Sequence, residues 1–350
     1  MQLVSLQAGW MPEQERRLTV QGEVNVSGGN AVVGAHHVPL SDVKGKLRVM
    51  ADRITIEQLT GRYGLAEVTE GRGEVTSLMQ NPSLSLDIKG KVSAQELAVI
   101  VARFAPKALL PAGPASLTGL KGEADAVVKL AGPLAKLDHL EVEWGLEVKD
   151  LGFTDRRLAL PFAGLRGGVH SVRRGVAFER LSGHAGESSV ALNGEIAVQS
   201  DEKAHFALTV SGQADAKEAM GVFVKDASKE LAADGVAGFG FSVSGRTGEL
   251  HGAGRVDFRQ AGITHAAGFR KPIGVPGAVE FDLFWDPGRS LRVRRLMAEI
   301  SPLRVHTKGL LTFSKPGRFE LDVKVPTFSL KAMPKGILAF KTLPDRKSVV

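Results

Sequence analysis

The sequence predicts a mainly β protein. The expected fold is an elongated, curled antiparallel sheet, a β-groove built of three repeats of about 115–122 residues, each with a short amphipathic helix. Three observations predict this class: apolar residues alternate with polar ones, glycine is abundant at 41 of 350 residues, and one hairpin pattern recurs at fixed spacing. Alternation at period two gives a strand one apolar and one polar face, and glycine supplies the turns.

Strands are predicted wherever apolar residues occupy every second position. The clearest are SLSLDIKG at 83–90, LEVEWGLEV at 140–148, HFALTVSG at 205–212, FGFSVSG at 239–245 and FELDVKV at 319–325. The pattern predicts about six strands in each repeat. Because adjacent strands lie ~4.8 Å apart, three repeats would extend the sheet by on the order of 80–90 Å.

The hairpin at residues 53–75 recurs at residues 175–196. Identical residues stand 122 positions apart, with Pro39, Gly45, Glu57, Leu59, Gly61 and Gly64 repeated as Pro161, Gly167, Glu179, Leu181, Gly183 and Gly186. A fainter third copy, 115 positions further on, matches Pro161, Val176, Phe178, Leu181 and Gly194 to Pro276, Leu291, Val293, Leu296 and Gly309. The repeats predict segments 1–110, 111–232 and 233–350, with the first truncated at its start and the last at its end.

A short amphipathic helix is expected to close each repeat. The segment from Ser93 opens with the capping box S-x-x-E, and the segment from Asp215 opens with the equivalent D-x-x-E. Apolar residues at helical spacing follow in both segments. The third candidate begins at Ser329 and is interrupted by Pro334.

Composition excludes several classes of function. The formal charge is +7, but the basic residues are dispersed and aromatic residues make up only 6%, so nucleic-acid binding is not expected. The chain has no cysteine, which excludes disulfides, thiolate nucleophiles and cysteine-ligated metals. The sequence shows neither a signal peptide nor the roughly 18 consecutive apolar residues of a spanning helix. Both ends are interpreted as cuts through a longer protein.

The predicted sheet has an apolar face that must be covered. A second sheet, a closed barrel, or an apolar guest in an open groove would each cover it. A lipid acyl chain suits the third option, because each CH₂ withdrawn from water contributes ~0.8 kcal/mol.

The candidate lipid-groove residues are those in the clearest alternation. They are Ile54, Ile56, Leu84, Leu86, Ile88, Leu140, Val142, Val176, Phe178, Val190, Leu192, Phe206, Leu208, Val210, Phe239, Phe241, Leu291, Val293, Phe319 and Leu321. The same side chains could form a dry core between two sheets. The sequence leaves both alternatives open.

No catalytic or metal site is predicted, no cofactor is expected, and the chain is not interpreted as an enzyme. His36 and His37 are adjacent, so they would point to opposite faces of a strand. Asp282 and Asp286 would share one strand face and could imitate an acid/base pair. Their alternation with apolar residues favours a solvated strand face instead.

The hairpin sequences resemble the AsmA-like superfamily of Gram-negative envelope proteins, most closely its YhdP-type members. The segments that carry the resemblance begin VNVSGGNAVVGAHHVPL at 24, LEVKDLGFTDRRLALPF at 146 and RVDFRQAGITHAAGFRK at 255. The resemblance extends over roughly residues 16–333. Its motifs are patterns of apolar residues, glycine and proline.

The resemblance implies a function and a location. The chain would be a segment of a bridge-like lipid-transfer protein that carries phospholipid along an apolar groove between the inner and outer membranes. The partners would be phospholipid or another acyl lipid, the inner membrane through an anchor that this chain lacks, and further envelope proteins. The location would be the periplasm, with the full-length parent protein attached to the inner membrane. The alternative is a structural or scaffolding periplasmic β-solenoid that binds a protein or polysaccharide without carrying lipid.

Overall fold

The structure is a computed structural model that describes residues 2–10, 18–33, 38–104, 117–136, 139–156, 160–198, 203–223, 231–266, 269–300, 303–313 and 317–326. These residues form twenty β-strands and two α-helices, so the predicted mainly β class is confirmed. The chain divides into two compact units. Unit 1 contains Met1–Thr154 and Gly164–Val176, and unit 2 contains Asp155–Ala163 and Ala177–Val350.

Unit 1 is an antiparallel meander. Its elements are β1 (Gln2–Trp10), β2 (Leu18–Val33), β3 (Val38–Met50), β4 (Arg53–Tyr63), β5 (Ala66–Thr76), β6 (Ser83–Ser93), α1 (Ala94–Phe104), β7 (Leu117–Pro133), nearly all of β8 (Glu141–Asp155) and most of β9 (Leu160–Val172). Each strand from β1 to β7 pairs with the next one along the chain.

Unit 2 is also an antiparallel meander, interrupted by one short two-stranded excursion. Its elements are most of β10 (Gly175–Ala185), then β11 (Ser188–Val198), β12 (Ala204–Asp215), α2 (Ala216–Phe223), β13 (Leu231–Arg246), β14 (Glu249–Asp257), β15 (Ala261–His265), β16 (Phe269–Lys271), β17 (Gly277–Asp286), β18 (Ser290–Ile300), β19 (Leu303–Thr312) and β20 (Arg318–Lys324). The sheet order is β11, β12, β13, β14, β17, β18, β19, β20, all antiparallel. In the excursion, β15 pairs with the start of β13, and β16 pairs with β15.

Both described helices begin where the capping boxes predict. The Ser93 hydroxyl accepts the Glu96 N–H at 3.2 Å, and the Asp215 carboxylate accepts the Glu218 N–H at 2.8 Å. The third candidate helix, from Ser329, lies outside the described residues. The boundary between the two compact units falls within β8 to β10, inside the predicted second segment. The three-segment division and the amphipathic character of the helices stay predictions.

Each helix is tied to a hairpin turn by its first-turn glutamate. The Glu96 carboxylate accepts the Leu65 N–H at 3.1 Å, and the Glu218 carboxylate accepts the Glu187 N–H at 3.2 Å. Before each of these turn residues stands a glycine of positive φ, Gly64 at 56° and Gly186 at 59°. The positive φ favours glycine at both positions, and a Cβ on Gly64 would lie 2.7 Å from the Glu96 carboxylate oxygens, so the carboxylate would have to shift.

Glu218→Ala is expected to lower the free energy of unfolding by about 1–2 kcal/mol, because two turn donors lose a charged acceptor. The second donor is the Ser188 hydroxyl, at 3.0 Å. Urea unfolding followed by circular dichroism measures the change. Glu179→Ala is the matched control, since Glu179 is exposed and its one ion pair with a described residue is to Arg180 at 3.7 Å. Equal shifts in the two variants would contradict the role of Glu218.

The connections between strands alternate between two edges of each sheet. In unit 2, α2 and the β15–β16 excursion lie at one edge, which we call the helix edge. The turns β11–β12, β13–β14, β17–β18 and β19–β20 lie at the other, the hairpin edge. In unit 1, α1 and the β4–β5 turn likewise share the helix edge. This separation follows from antiparallel order, which returns the chain to the same edge at every second connection.

Candidate functional site: an apolar sheet face

The register of unit 1 brings five predicted groove residues onto one face. Directly opposed residues in antiparallel strands point to the same face. Ile54 pairs with Val75, which pairs with Leu84. Ile56 and Leu86 both pair with Gly73, and Ile88 pairs with the neighbouring Gly71.

The register of unit 2 aligns more of them. Four rows cross the sheet from β11, through Val190–Gly212–Phe239, Leu192–Val210–Phe241, Gly194–Leu208–Val243 and Ile196–Phe206–Gly245. Two of the rows continue to β20, one through Leu283–Val293–Gly309–Leu321 and the other through Trp285–Leu291–Leu311–Phe319. The predicted residues on this face are Val190, Leu192, Phe206, Leu208, Val210, Phe239, Phe241, Leu291, Val293, Phe319 and Leu321. We call this surface the apolar face of unit 2, and its counterpart the apolar face of unit 1.

The other four predicted residues lie outside these rows. Val176 and Phe178 are half-buried and stand two apart on β10. Leu140 is half-buried and directly precedes β8, whereas Val142, the second residue of that strand, is exposed.

The apolar face has no second layer over it in the part of the chain that the structure describes. The buried apolar side chains there are alanines and three valines, Val92, Val148 and Val293. No leucine, isoleucine or phenylalanine among those residues is buried. Sixteen of the twenty predicted groove residues are half-buried, three are exposed, and Val293 alone is buried. In a sheet-on-sheet core, large aliphatic side chains from both sheets interdigitate and lose nearly all of their exposure.

Small residues concentrate burial at the helix edge. Val92, at the end of β6, pairs with Ala124 on β7, and both are buried just before α1 begins. In unit 2, Ala216 at the start of α2 packs with Ala237 and Ala261. The apolar face is therefore most buried at its helix edge, and most of its large side chains stay half-buried along the remaining length of the strands.

Three glycines let neighbouring strands approach closely on the apolar face. Gly73, Gly194 and Gly309 pair with Leu86, Leu208 and Leu321. A Cβ on each glycine would lie 2.8–2.9 Å from the Cα of its paired leucine and closer still to a backbone carbonyl oxygen. The sequence matches Gly194 to Gly309 between two of the predicted repeats, so this match corresponds to a recurring close contact of two strands.

Phenylalanine and glycine alternate across the middle of unit 2. Phe241 lies opposite Gly254, and a Cβ on that glycine would lie 2.6 Å from the Phe241 Cα. The Phe241 ring is 6.0 Å from the Phe239 ring and 6.4 Å from the Phe281 ring. These tilted contacts are within the range that favours aromatic pairs. They place a connected aromatic cluster on a face that is otherwise aliphatic.

The opposite face carries cross-strand ion pairs. Glu57 bridges Lys46 at 3.1 Å and Arg48 at 2.6 Å, and its hydrogen bond raises the pKa of Lys46. Lys89 lies 3.1 Å from Glu70 and lowers the pKa of that carboxyl. Such pairs contribute little individually in water, but they favour one register of neighbouring strands. This surface is the polar face.

The histidines and carboxylates considered from the sequence have ordinary surroundings. Asp282 lies 2.9 Å from His251 Nε2, while Asp286 faces Arg289 at 3.9 Å, so the two carboxylates contact different partners. His36 and His37 lie outside the described residues. Within the described ranges, no cluster of three or more histidine, aspartate or glutamate side chains could hold a metal ion.

Lys271 is a buried charge that sequence reasoning missed. Its side chain is 1% exposed, and its Nζ donates to the carbonyl oxygens of Phe258 at 2.6 Å, Ala261 at 2.7 Å and Pro272 at 3.3 Å. Burial lowers the pKa of Lys271, and the nearby Asp257 carboxylate opposes that effect. Because all three acceptors are backbone oxygens, no side-chain pattern signals the site. The contacts fasten the β15–β16 excursion to the end of β14.

Lys271→Met is expected to lower the free energy of unfolding by about 2–3 kcal/mol, because three carbonyl oxygens lose a charged donor. Amide hydrogen exchange should rise most in β15 and β16. The control is Lys308→Met, which removes only an exposed contact to Asp322 at 3.5 Å. Unchanged exchange in β15 and β16 would show that the lysine does not fasten the excursion.

Comparisons with models of protein families, with curated proteins and with solved structures found no match to this chain. The AsmA-like resemblance therefore rests on the pattern of residues alone. Among the helices described, none combines the length and the hydropathy needed to cross a membrane.

Proposed function

We propose that the chain is a segment of a bridge-like lipid-transfer protein that carries phospholipid along the apolar face. The observation that carries the proposal is that each unit has an apolar face aligned in register over several strands, with no covering layer in the described residues. A soluble protein rarely leaves a continuous apolar surface of this kind without a ligand or partner.

An acyl chain has the dimensions and chemistry that this face requires. Each CH₂ withdrawn from water contributes ~0.8 kcal/mol, so a chain of about 16 carbons would contribute roughly 12 kcal/mol when fully covered. The face offers rows of aliphatic side chains without a convergent set of polar groups, so a guest can occupy successive positions at similar free energy. That property suits transport better than recognition at one site.

The three-repeat organisation belongs to the same proposal. The glutamate-to-turn contact occurs twice, at Glu96 and Glu218, which stand 122 residues apart. The close approach of a glycine to a leucine occurs three times, on β5–β6, β11–β12 and β19–β20. Recurrence of one local geometry supports a chain that gained length by repeating a unit.

The cellular setting is proposed from the resemblance to AsmA-like proteins. The chain would lie in the periplasm of a Gram-negative bacterium, carry phospholipid between the inner and outer membranes, and be held to the inner membrane by another part of its parent protein. The ion pairs of the polar face support this arrangement, since that face would meet the aqueous compartment while lipid occupies the other.

Native mass spectrometry of the gently purified chain tests the proposal. We expect adducts with the masses of phospholipids, and extraction should recover the same lipids. An apo mass in repeated preparations would contradict lipid carriage and favour the scaffolding alternative. Co-purification of a protein or polysaccharide in place of lipid would lead to the same conclusion.

A further inference from the structure

Three exposed aromatic side chains lie at the hairpin edge of unit 2. They are Trp285, Phe313 and Phe319, at 48%, 49% and 79% exposure. Within the described residues, they are the only aromatics among the exposed large apolar side chains. We call these three residues the aromatic edge. Their exposure needs a physical explanation, because aromatic surface in contact with water is energetically unfavourable.

The register places Trp285 and Phe319 in one row of the sheet. Leu291 and Leu311 stand between them in the row Trp285–Leu291–Leu311–Phe319, which is the part of the apolar face nearest the hairpin edge. Phe313 directly follows β19, and its N–H donates to the Arg289 carbonyl at 2.8 Å. The β17–β18 turn therefore lies against the start of the β19–β20 connection.

Two arginines flank the aromatic edge. Arg289 is in the β17–β18 turn, with its side chain 83% exposed and 3.9 Å from Asp286. Arg318 is the first residue of β20 and forms no ion pair with any described residue. Within residues 286–290 and 317–319, these two arginines outnumber the single carboxylate, Asp286, so the local charge is positive. Aromatic rings beside arginines are the combination that binds the headgroup region of anionic membranes.

We propose that the aromatic edge docks onto the surface of an anionic phospholipid bilayer. Trp285, Phe313 and Phe319 enter the headgroup region, and Arg289 and Arg318 face the lipid phosphates. This inference goes beyond lipid carriage, because docking requires only the edge and holds whether or not an acyl chain occupies the apolar face. It would place the end of the apolar face beside a source of lipid.

A second copy of the chain fits this edge less well. A symmetric pair would bring the same patch of both copies together, so Arg289 and Arg318 of one copy would face the arginines of the other. Like charges at an interface oppose association. An anionic bilayer instead complements both arginines and accepts the aromatic rings without a shaped pocket.

Flotation of the whole chain with vesicles tests the proposal. We expect binding to vesicles of equal parts phosphatidylcholine and phosphatidylglycerol, weaker binding to phosphatidylcholine alone, and a loss of binding with added salt. Arg289→Gln with Arg318→Gln should weaken binding to the anionic vesicles by about thirtyfold, at about fivefold for each arginine. Phe313→Ser with Phe319→Ser should weaken it by about tenfold or more.

Ile273→Ser is the matched control, because Ile273 is exposed in the same unit but lies outside the aromatic edge. Its binding to vesicles should equal that of the wild type. The proposal is overturned if the wild type stays unbound, or if the Phe313/Phe319 variant floats as well as the control. It is also overturned if light scattering shows a wild-type dimer that this variant dissociates, since the edge would then join two copies.

The same samples separate this inference from the proposed function. Bound phospholipid that persists in a Phe313/Phe319 variant unable to bind vesicles supports docking as a separate property. A wild type that binds anionic vesicles but carries no phospholipid in native mass spectrometry overturns lipid carriage and leaves docking intact.

Discussion

Phe241→Asp is expected to remove bound phospholipid from the purified protein while the chain still folds. Phe241 is half-buried within the apolar face, between the rings of Phe239 and Phe281. A carboxylate there would have to be desolvated by any acyl chain that covered it, which is strongly unfavourable. Because the site remains accessible to water without lipid, we expect the free energy of unfolding to fall by only about 2–3 kcal/mol. Native mass spectrometry and circular dichroism measure the two effects.

Ser242→Asp is the control for this prediction. Ser242 is the next residue along β13, is exposed and points to the polar face, so the same charge there should leave lipid binding unchanged. Phe178→Asp tests the predicted groove residue on β10 and should also remove bound phospholipid if Phe178 lines the groove. Unfolding of both phenylalanine variants, together with a lipid-free wild type, would mean that these side chains form a dry core.

Gly194→Val is expected to lower the free energy of unfolding by more than about 4 kcal/mol. Gly194 has φ of 120°, a conformation that a β-branched residue does not adopt without strain. Its Cβ would also lie 2.9 Å from the Leu208 Cα and would contact the Ala207 carbonyl oxygen. Since both obstacles are backbone atoms, the strands would have to separate. Urea unfolding measures the loss, with soluble expression as a first indication.

Gly240→Val is the matched control, because a Cβ on this strand glycine meets no atom within 4 Å. We expect its effect to stay within about 1 kcal/mol. Gly73→Val and Gly309→Val should be as damaging as Gly194→Val if the three close approaches are equivalent. A tolerated Gly194→Val would show that the neighbouring strands can move apart at little cost.

Alternation identified the clearest strands correctly from local sequence alone. Phe239 and Phe241 stand two apart on β13, and period two places them on one face whichever strand lies beside them. The starts of α1 and α2 could also be predicted from the sequence, because a capping box is a contact between residues three positions apart. Both signals are short-range consequences of backbone geometry.

The register between paired strands could not be predicted from the sequence, because it depends on pairing between distant residues and on bulges. The bulge between Ile56 and Leu59 shifts the alignment of β4 with β5, and a one-residue error would exchange the two faces. The β15–β16 excursion and its buried Lys271 were missed for a related reason. Lys271 donates to backbone carbonyl oxygens, and β15 and β16 pair through their backbones. Every residue type has these backbone atoms, so the sequence gives no signal for either contact.

The sequence by itself determined that this chain forms antiparallel strands with one apolar and one polar face. Those properties follow from period-two alternation, which acts residue by residue. Only the tertiary structure decided which apolar residues stand opposite one another, and that the large ones keep part of their surface exposed. Exposure depends on whether a second layer packs over the sheet, and alternation is the same in a covered sheet and in an open one.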